Sequence, residues 1–269
     1  MKKLITIAFI IALGAGSCKQ SDPEEKVYQL VWSDEFEGAE LDLNKWEVQT
    51  GNGSEYGLFN WGNNELQWYQ EDNVTIDDGK LLIRSEAETV GDYNYTSARI
   101  RSLNRGDFKY GRIEASIRMS YSAGLWHAFW MLPSDPADPW PISGEIDIME
   151  FVGNLPDEIF NTIHFVDGAG NQQQLGELEP YPQQSEFHTY AVEWDENSIV
   201  WFFDDVETYQ VSRTNDLLVD SWPFDEQFHL LLNTAVGGNL GGSVDATALQ
   251  EPKFMEVEFV RVYQQLSEE

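Results

Sequence analysis

The chain has 269 residues, 42% of them hydrophobic and 13% aromatic, which suffices for one large folded domain and excludes bulk disorder. Lys and Arg number 16 against 47 Asp and Glu, a net charge of -31, so the surface repels nucleic acid and anionic membranes and best suits a neutral ligand. Ten Trp are many for this length, and beyond the core such rings suit a cleft that offers flat apolar faces to sugars.

Met1 to Leu13 carries two Lys and then an apolar run too short to span a bilayer, followed by small residues, the layout of a signal peptide over residues 1–17. Cys18 is the only cysteine, so it forms no intramolecular disulfide, and its position after Ala15-Gly16-Ser17 resembles the lipobox at which bacterial lipoproteins are cleaved and acylated. Residues 18–26 are polar and Pro-interrupted, and are expected to be a lipidated tether. The expected destination is the outer membrane or cell surface, with plain secretion as the alternative, and the lipid on Cys18 as the sole membrane contact.

From Val27 onward, short runs of β-formers alternate with clusters of Gly, Asn, Asp and Pro, and helical periodicity is scarce. Strands are expected over Lys80 to Ser85 after the turn Asp77-Asp78-Gly79, and over Arg112 to Met119, where apolar side chains fall mostly at alternate positions. Further strands are expected over Ile199 to Phe203 before Asp204-Asp205, and over Phe254 to Tyr263. Residues 155–184, rich in Gly, Gln and Pro, are expected to be a long loop, either a cleft wall or a surface insertion. No fixed-period repeat occurs, and the pattern predicts one all-β domain over residues 27–266, a sandwich of two antiparallel sheets.

The segment Gly144-Glu145-Ile146-Asp147-Ile148-Met149-Glu150 carries the chemistry. A period of two puts Glu145 and Asp147 on one face and Ile146 and Ile148 on the other. A regular strand would then bury Glu150 among apolar groups, where a charge is costly; one extra residue, a β-bulge, returns it to the acidic face. Glu145 and Glu150 then have Cα atoms about 13 Å apart by strand rise, and two leaning side chains can close to the roughly 5 to 5.5 Å of a retaining glycosidase pair. The pattern alone is weak, since an acid-x-acid-x-x-acid triple is expected about once by chance in so acidic a chain. Glu35, Glu37 and Glu40 repeat the offsets beside Gly38 without the intervening Ile residues, and read as a solvated turn.

The surroundings decide the matter. Gly124-Leu125-Trp126-His127-Ala128-Phe129-Trp130-Met131-Leu132-Pro133 and Trp140-Pro141 precede the acids. Trp61-Gly62-Asn63-Asn64-Glu65-Leu66-Gln67-Trp68-Tyr69, Ser97-Ala98-Arg99-Ile100, Tyr110-Gly111-Arg112, Thr162-Ile163-His164 and Leu232-Asn233-Thr234-Ala235-Val236-Gly237-Gly238 complete the set. In this order they resemble glycoside hydrolase family 16, and most of all its bacterial laminarinases, which are endo-β-1,3-glucanases. The resemblance implies a β-jelly-roll with a concave cleft, Glu145 as nucleophile, Glu150 as acid/base and Asp147 as the helper that tunes the nucleophile. It implies that Trp126 and Trp130 lie under the sugar and that Asn64, Arg99, His164 and Asn233 border the cleft. Trp61 and Trp68 are expected to extend the same open aromatic face. It further implies a possible structural calcium near Glu37 and Glu258 and no cofactor for catalysis. His127 in place of the usual Pro, Phe165-Val166-Asp167 after the His, and the lack of a Trp soon after Gly237-Gly238 depart from the family pattern at positions expected to border the cleft.

The expected partner is thus a β-1,3-glucan or mixed-linkage β-glucan, acted on by a monomer. The alternatives are a family 16 galactanase acting on agar, porphyran or carrageenan, and a β-glucan-binding protein with a dead site; the first would favour a more basic cleft for sulfated substrates, and the second would be expected to have lost its acids. A carboxylate metal site built from the same triple has no His beside it in the sequence.

Overall fold

Two-residue turns set the register of the outer strands. Asp78 and Gly79 have φ of 47° and 69°, and Asp204 and Asp205 have 49° and 63°, the doubly left-handed geometry whose twist suits a tight hairpin. Each turn joins strands that pair directly across it, Asp77 with Lys80 and Phe203 with Val206. The computed structural model describes residues 27–180 and 186–266; the expected signal segment, Cys18 and its tether lie outside the described residues.

Among the described residues, eighteen strands follow in chain order. They are β1 (Tyr28–Asp34), β2 (Glu47–Gln49), β3 (Gln67–Tyr69), β4 (Val74–Asp77), β5 (Lys80–Ser85), β6 (Tyr95–Ser97), β7 (Arg99–Arg101), β8 (Asp107–Phe108) and β9 (Gly111–Met119). Then come β10 (Leu125–Pro133), β11 (Glu145–Val152), β12 (Glu158–Val166), β13 (Gln172–Pro180), β14 (His188–Trp194), β15 (Ser198–Phe203), β16 (Val206–Ser212), β17 (Phe228–Val236) and β18 (Lys253–Gln265). The outer sheet runs β16-β15-β14-β9-β18-β5-β4 with β1 also on β18. The second sheet, which carries the cleft, runs β13-β12-β11-β10-β17-β7-β2 with β8 also on β17. All pairings within these two sheets are antiparallel, as expected of a jelly-roll sandwich, and β3 and β6 form a small parallel pair.

Apolar side chains from both sheets meet between them. Ile113, Ala115 and Ile117 alternate inward on β9, and Phe129, Met131, Ile146, Leu230 and Leu232 face them from the cleft sheet, all fully buried. Burial of each large side chain contributes about 1.5 to 3 kcal/mol, so the interior fixes which face of every strand is free for chemistry. His127 and Phe165 belong to this interior and not to the cleft rim. The His127 ring exchanges hydrogen bonds with Thr234 Oγ1 (2.8 Å) and the Ser120 carbonyl (3.1 Å), and burial pushes its pKa down to about 4, so it is neutral. Residues 158–180 are not a loop: β12 and β13 form a hairpin in continuous register from Glu158–Pro180 to Val166–Gln172, extending the cleft sheet by two strands.

Candidate active site

Gly144 opens β11 at φ 85°, where a Cβ would sit 3.0 Å from both Phe224 and Pro223, so a side chain there would be both strained and crowded. Beyond it the strand is bulged. Against β12, Asp147 faces Thr162 and Glu150 faces Phe160, leaving two residues opposite the single Asn161. Against β10, Asp147 faces Trp130 and Met149 faces Phe129. Ile148 and Met149 both enter the core, and Glu150 returns to the face of Glu145 and Asp147, as the cost of a buried charge predicts.

A bulge frees carbonyls from the ladder, and two side chains satisfy them. Trp201 Nε1, reaching across the interior from the outer sheet, donates to the Asp147 carbonyl (2.9 Å), and Asn161 Nδ2 donates to that of Ile148 (2.7 Å).

The three carboxyls form the floor of a solvent-open cavity of about 370 Å³. Its walls include Trp126, Trp130, Arg99, His164 and Asn233, five of the residues expected there. Burial, then the charge of Asp147, pushes the Glu145 carboxyl up to about 8. Burial likewise pushes Glu150 up to about 7, against the hydrogen bond that Trp126 Nε1 donates to its Oε1 (2.8 Å). Asp147 is raised well above the ordinary range by burial and then by the charge of Glu150. Glu145 and Asp147 lie within hydrogen-bonding reach of one another, so the floor retains protons near neutrality. His164, directly opposite Glu145 in the β11–β12 register, brings Nε2 to 3.2 Å from Asp147 Oδ2. A His thus stands beside the acids after all, across a strand boundary.

Arg99 is sandwiched between indoles, its guanidinium carbon 4.7 Å from the Trp61 ring centre and 4.8 Å from that of Trp130, while Nε donates to Gln49 Oε1 (2.7 Å). Trp130 Nε1 donates to Asn233 Oδ1 (2.8 Å), whose amide donates in turn to the Tyr69 hydroxyl (3.2 Å). The stack holds the Trp130 ring half-exposed over the cavity.

The expected extension of the aromatic face by two further Trp does not hold. Trp61 is buried beneath Arg99, and Trp68 packs against Tyr93; neither lines the cavity. Asn64 is exposed and donates to Oδ1 of Asn239 (2.8 Å), which lines the cavity together with Asn63. Glu37 lines a separate acidic hollow with Asp34, Glu35, Glu40 and Asp42, and Glu258 is not among its walls. Glu258 accepts the Ser116 hydroxyl (2.7 Å). Among the described residues, the one three-donor group within ligating reach is Glu145, Asp147 and His164.

Sequence reasoning missed Glu65, a cleft carboxyl that is 2% exposed and accepts from Gln67 Nε2 (2.6 Å), Tyr69 (3.1 Å) and Asn63 (3.3 Å). It also missed Trp140, half-exposed on the rim with its ring 6.1 Å from that of His164, and Gln174 from the hairpin mistaken for a loop. Both Glu65 and Trp140 stood in the motifs quoted above, but their facing depends on loops that periodicity does not describe.

Such a floor of paired carboxyls, one of them near pKa 7, beneath aromatic platforms is suited to protonating a glycosidic oxygen while a second carboxylate attacks. The profile of glycosyl hydrolases family 16 matches residues 56–248. A β-glucanase of Rhodothermus marinus is 36% identical, over 98% of this chain and 96% of its own length. Glucan endo-1,3-β-glucosidase A1 of Niallia circulans is 35% identical over 91% of this chain, which spans 39% of that longer protein. Among solved structures, the catalytic domain of an endo-1,3-β-glucanase (laminarinase) from Thermotoga petrophila superposes with a TM-score of 0.83 at 35% identity, over 90% of this chain and 100% of that one. The chain belongs to glycosyl hydrolase family 16.

Proposed function

We propose that this protein is a retaining endo-β-1,3-glucanase acting on laminarin-type glucan, mixed-linkage glucan included, with Glu145 as nucleophile and Glu150 as acid/base. The observation that carries the reading is the bulge of β11, which sets Glu145, Asp147 and Glu150 on one face beneath Trp126 and Trp130. The names of the three relatives above supply the substrate class. A net charge of -31 disfavours sulfated galactans.

In the first step the Glu145 carboxylate attacks the anomeric carbon, and the bond to the departing oxygen breaks as Glu150 gives that oxygen its proton. Asp147, within hydrogen-bonding reach of Glu145, takes up the proton that Glu145 must give up before it attacks, and restrains the orientation of the freed carboxylate. In the second step Glu150, now ionised, takes a proton from water as that water attacks the glycosyl-enzyme, releasing Glu145 with net retention. Trp126 and Trp130 give the sugar rings apolar faces in an open cleft, so cleavage falls within a chain rather than at its end.

The test is hydrolysis of laminarin, mixed-linkage glucan, agarose and carrageenan, with products followed by proton NMR. Fastest release from laminarin with the β anomer formed first is expected. An initial α anomer overturns the mechanism, and release from a galactan alone overturns the substrate.

A further inference from the structure

Glu145, Asp147 and His164 each offer one donor atom, and these atoms lie within 4.8 Å of one another. Asp147 Oδ2, on a side chain 3% exposed, accepts no hydrogen bond, and it is this oxygen that lies 3.2 Å from His164 Nε2. A buried carboxylate oxygen without a partner costs free energy, and Glu150 adds a further negative charge on the same cavity floor. A cation seated among the three would satisfy the orphaned oxygen and offset the repulsion among the carboxylates.

We infer that Glu145, Asp147 and His164 form a binding site for a borderline divalent cation of the zinc class, and that the cation reversibly inhibits the enzyme by taking up the attacking carboxylate. The donor set selects the ion. One imidazole and two carboxylates suit zinc, whereas calcium and magnesium seek six or more oxygens. Donors on a tetrahedral zinc with bonds of about 2.1 Å stand roughly 3.4 Å apart, so side-chain rotation must close the trio by little more than about 1 Å. The fourth position opens into the cleft, where water completes the shell in the space a sugar ring would take. The inhibition half of this inference rests on the reading of Glu145 as nucleophile; the binding half does not.

The experiment titrates zinc chloride into the metal-stripped protein by calorimetry, without substrate, and then measures laminarin hydrolysis at fixed zinc concentrations. One zinc per chain is expected, with KM rising and kcat unchanged, full recovery on adding EDTA, and no competition from magnesium or calcium at equal concentration. His164→Gln should weaken zinc binding by at least about tenfold. Wild-type affinity in that variant, or no zinc binding at concentrations that inhibit, overturns the site. Should the variant not fold, a saturating laminari-oligosaccharide must still weaken zinc binding to the wild-type protein, and unchanged affinity in its presence overturns the inference. Zinc binding that is lost in H164Q supports the site whichever polysaccharide the enzyme hydrolyses.

Discussion

The Trp201 indole crosses the sandwich to donate its N–H to the carbonyl of Asp147, so a residue of the outer sheet fixes the backbone on which the reacting carboxyls stand. Trp201→Phe preserves most of the buried ring and leaves that carbonyl without its donor. The expected loss is about 1 to 3 kcal/mol of stability. Because the bulge sets the facing of Glu150, kcat should fall by more than KM changes, read from denaturant unfolding and steady-state kinetics side by side. Lost stability with untouched kcat would show that the bulge holds without the indole.

Removing each carboxyl should have its own signature. Glu145→Ala should abolish turnover, since no side chain remains to form the glycosyl-enzyme. Glu150→Ala should spare aryl glycosides far more than laminarin, because an activated leaving group needs little proton assistance. Asp147→Asn should retain partial activity with a displaced pH profile, and an undisplaced profile would remove Asp147 from the tuning role.

The alkaline limb of activity should follow Glu150, whose proton is held up to about 7. The Trp126 hydrogen bond favours the carboxylate form, and so works against burial. Trp126→Phe should therefore move the alkaline limb to higher pH while raising KM through the lost contact. A limb that moves down, or stays, would assign it to another group.

Stability should answer to the same groups. The carboxyls of Glu145 and Glu150 are raised to about 8 and about 7 in the folded protein, above the ordinary 4.5 expected of the unfolded chain. Their contribution is present below about 4.5 and is lost as pH rises through about 7 to 8. Glu150→Gln, which never ionises, should thus melt several degrees above the wild-type protein at pH 8 and at the same temperature at pH 4. A constant difference across that range would mean that the gain comes from packing.

Trp61 lies outside the cleft yet should matter to it. Trp61→Leu removes one side of the Arg99 sandwich, and the Trp130 platform on the other side should loosen. KM is expected to rise by about tenfold, as for the loss of a 1.4 kcal/mol contact, with kcat nearly constant. An unchanged KM would make Trp61 a core residue and nothing more.

Much of this was legible in the sequence, and the boundary has a physical origin. Lys80 to Ser85 matches β5 at both ends, because a two-residue turn and an alternating pattern constrain the same few residues. The bulge was legible because a regular strand would have buried a charge. The β13 strand was not: it is an edge strand, exposed along much of both faces, so its Gln- and Glu-rich sequence carries no hydrophobic alternation. The burial of Trp61 and the approach of His164 to Asp147 were equally hidden, since each depends on which segment packs beside another and not on the order of residues within either.

The bulge also makes the catalytic centre a matter of parity. Side-chain direction along a strand is set by counting, and the acid/base sits an odd number of positions from the nucleophile, a spacing that an unbroken pleat would send to opposite faces. Deleting Ile148 alone would leave every carboxyl in the chain and hardly alter its composition. It would also let the strand run regular: Glu145, Asp147 and Glu150 would fall at alternate positions on the cleft face, with Ile146 and Met149 between them on the core face. The same three acids can therefore share a face on an unbroken strand one residue shorter, and what the extra residue brings is a second apolar side chain in the core and two carbonyls that Trp201 and Asn161 must satisfy.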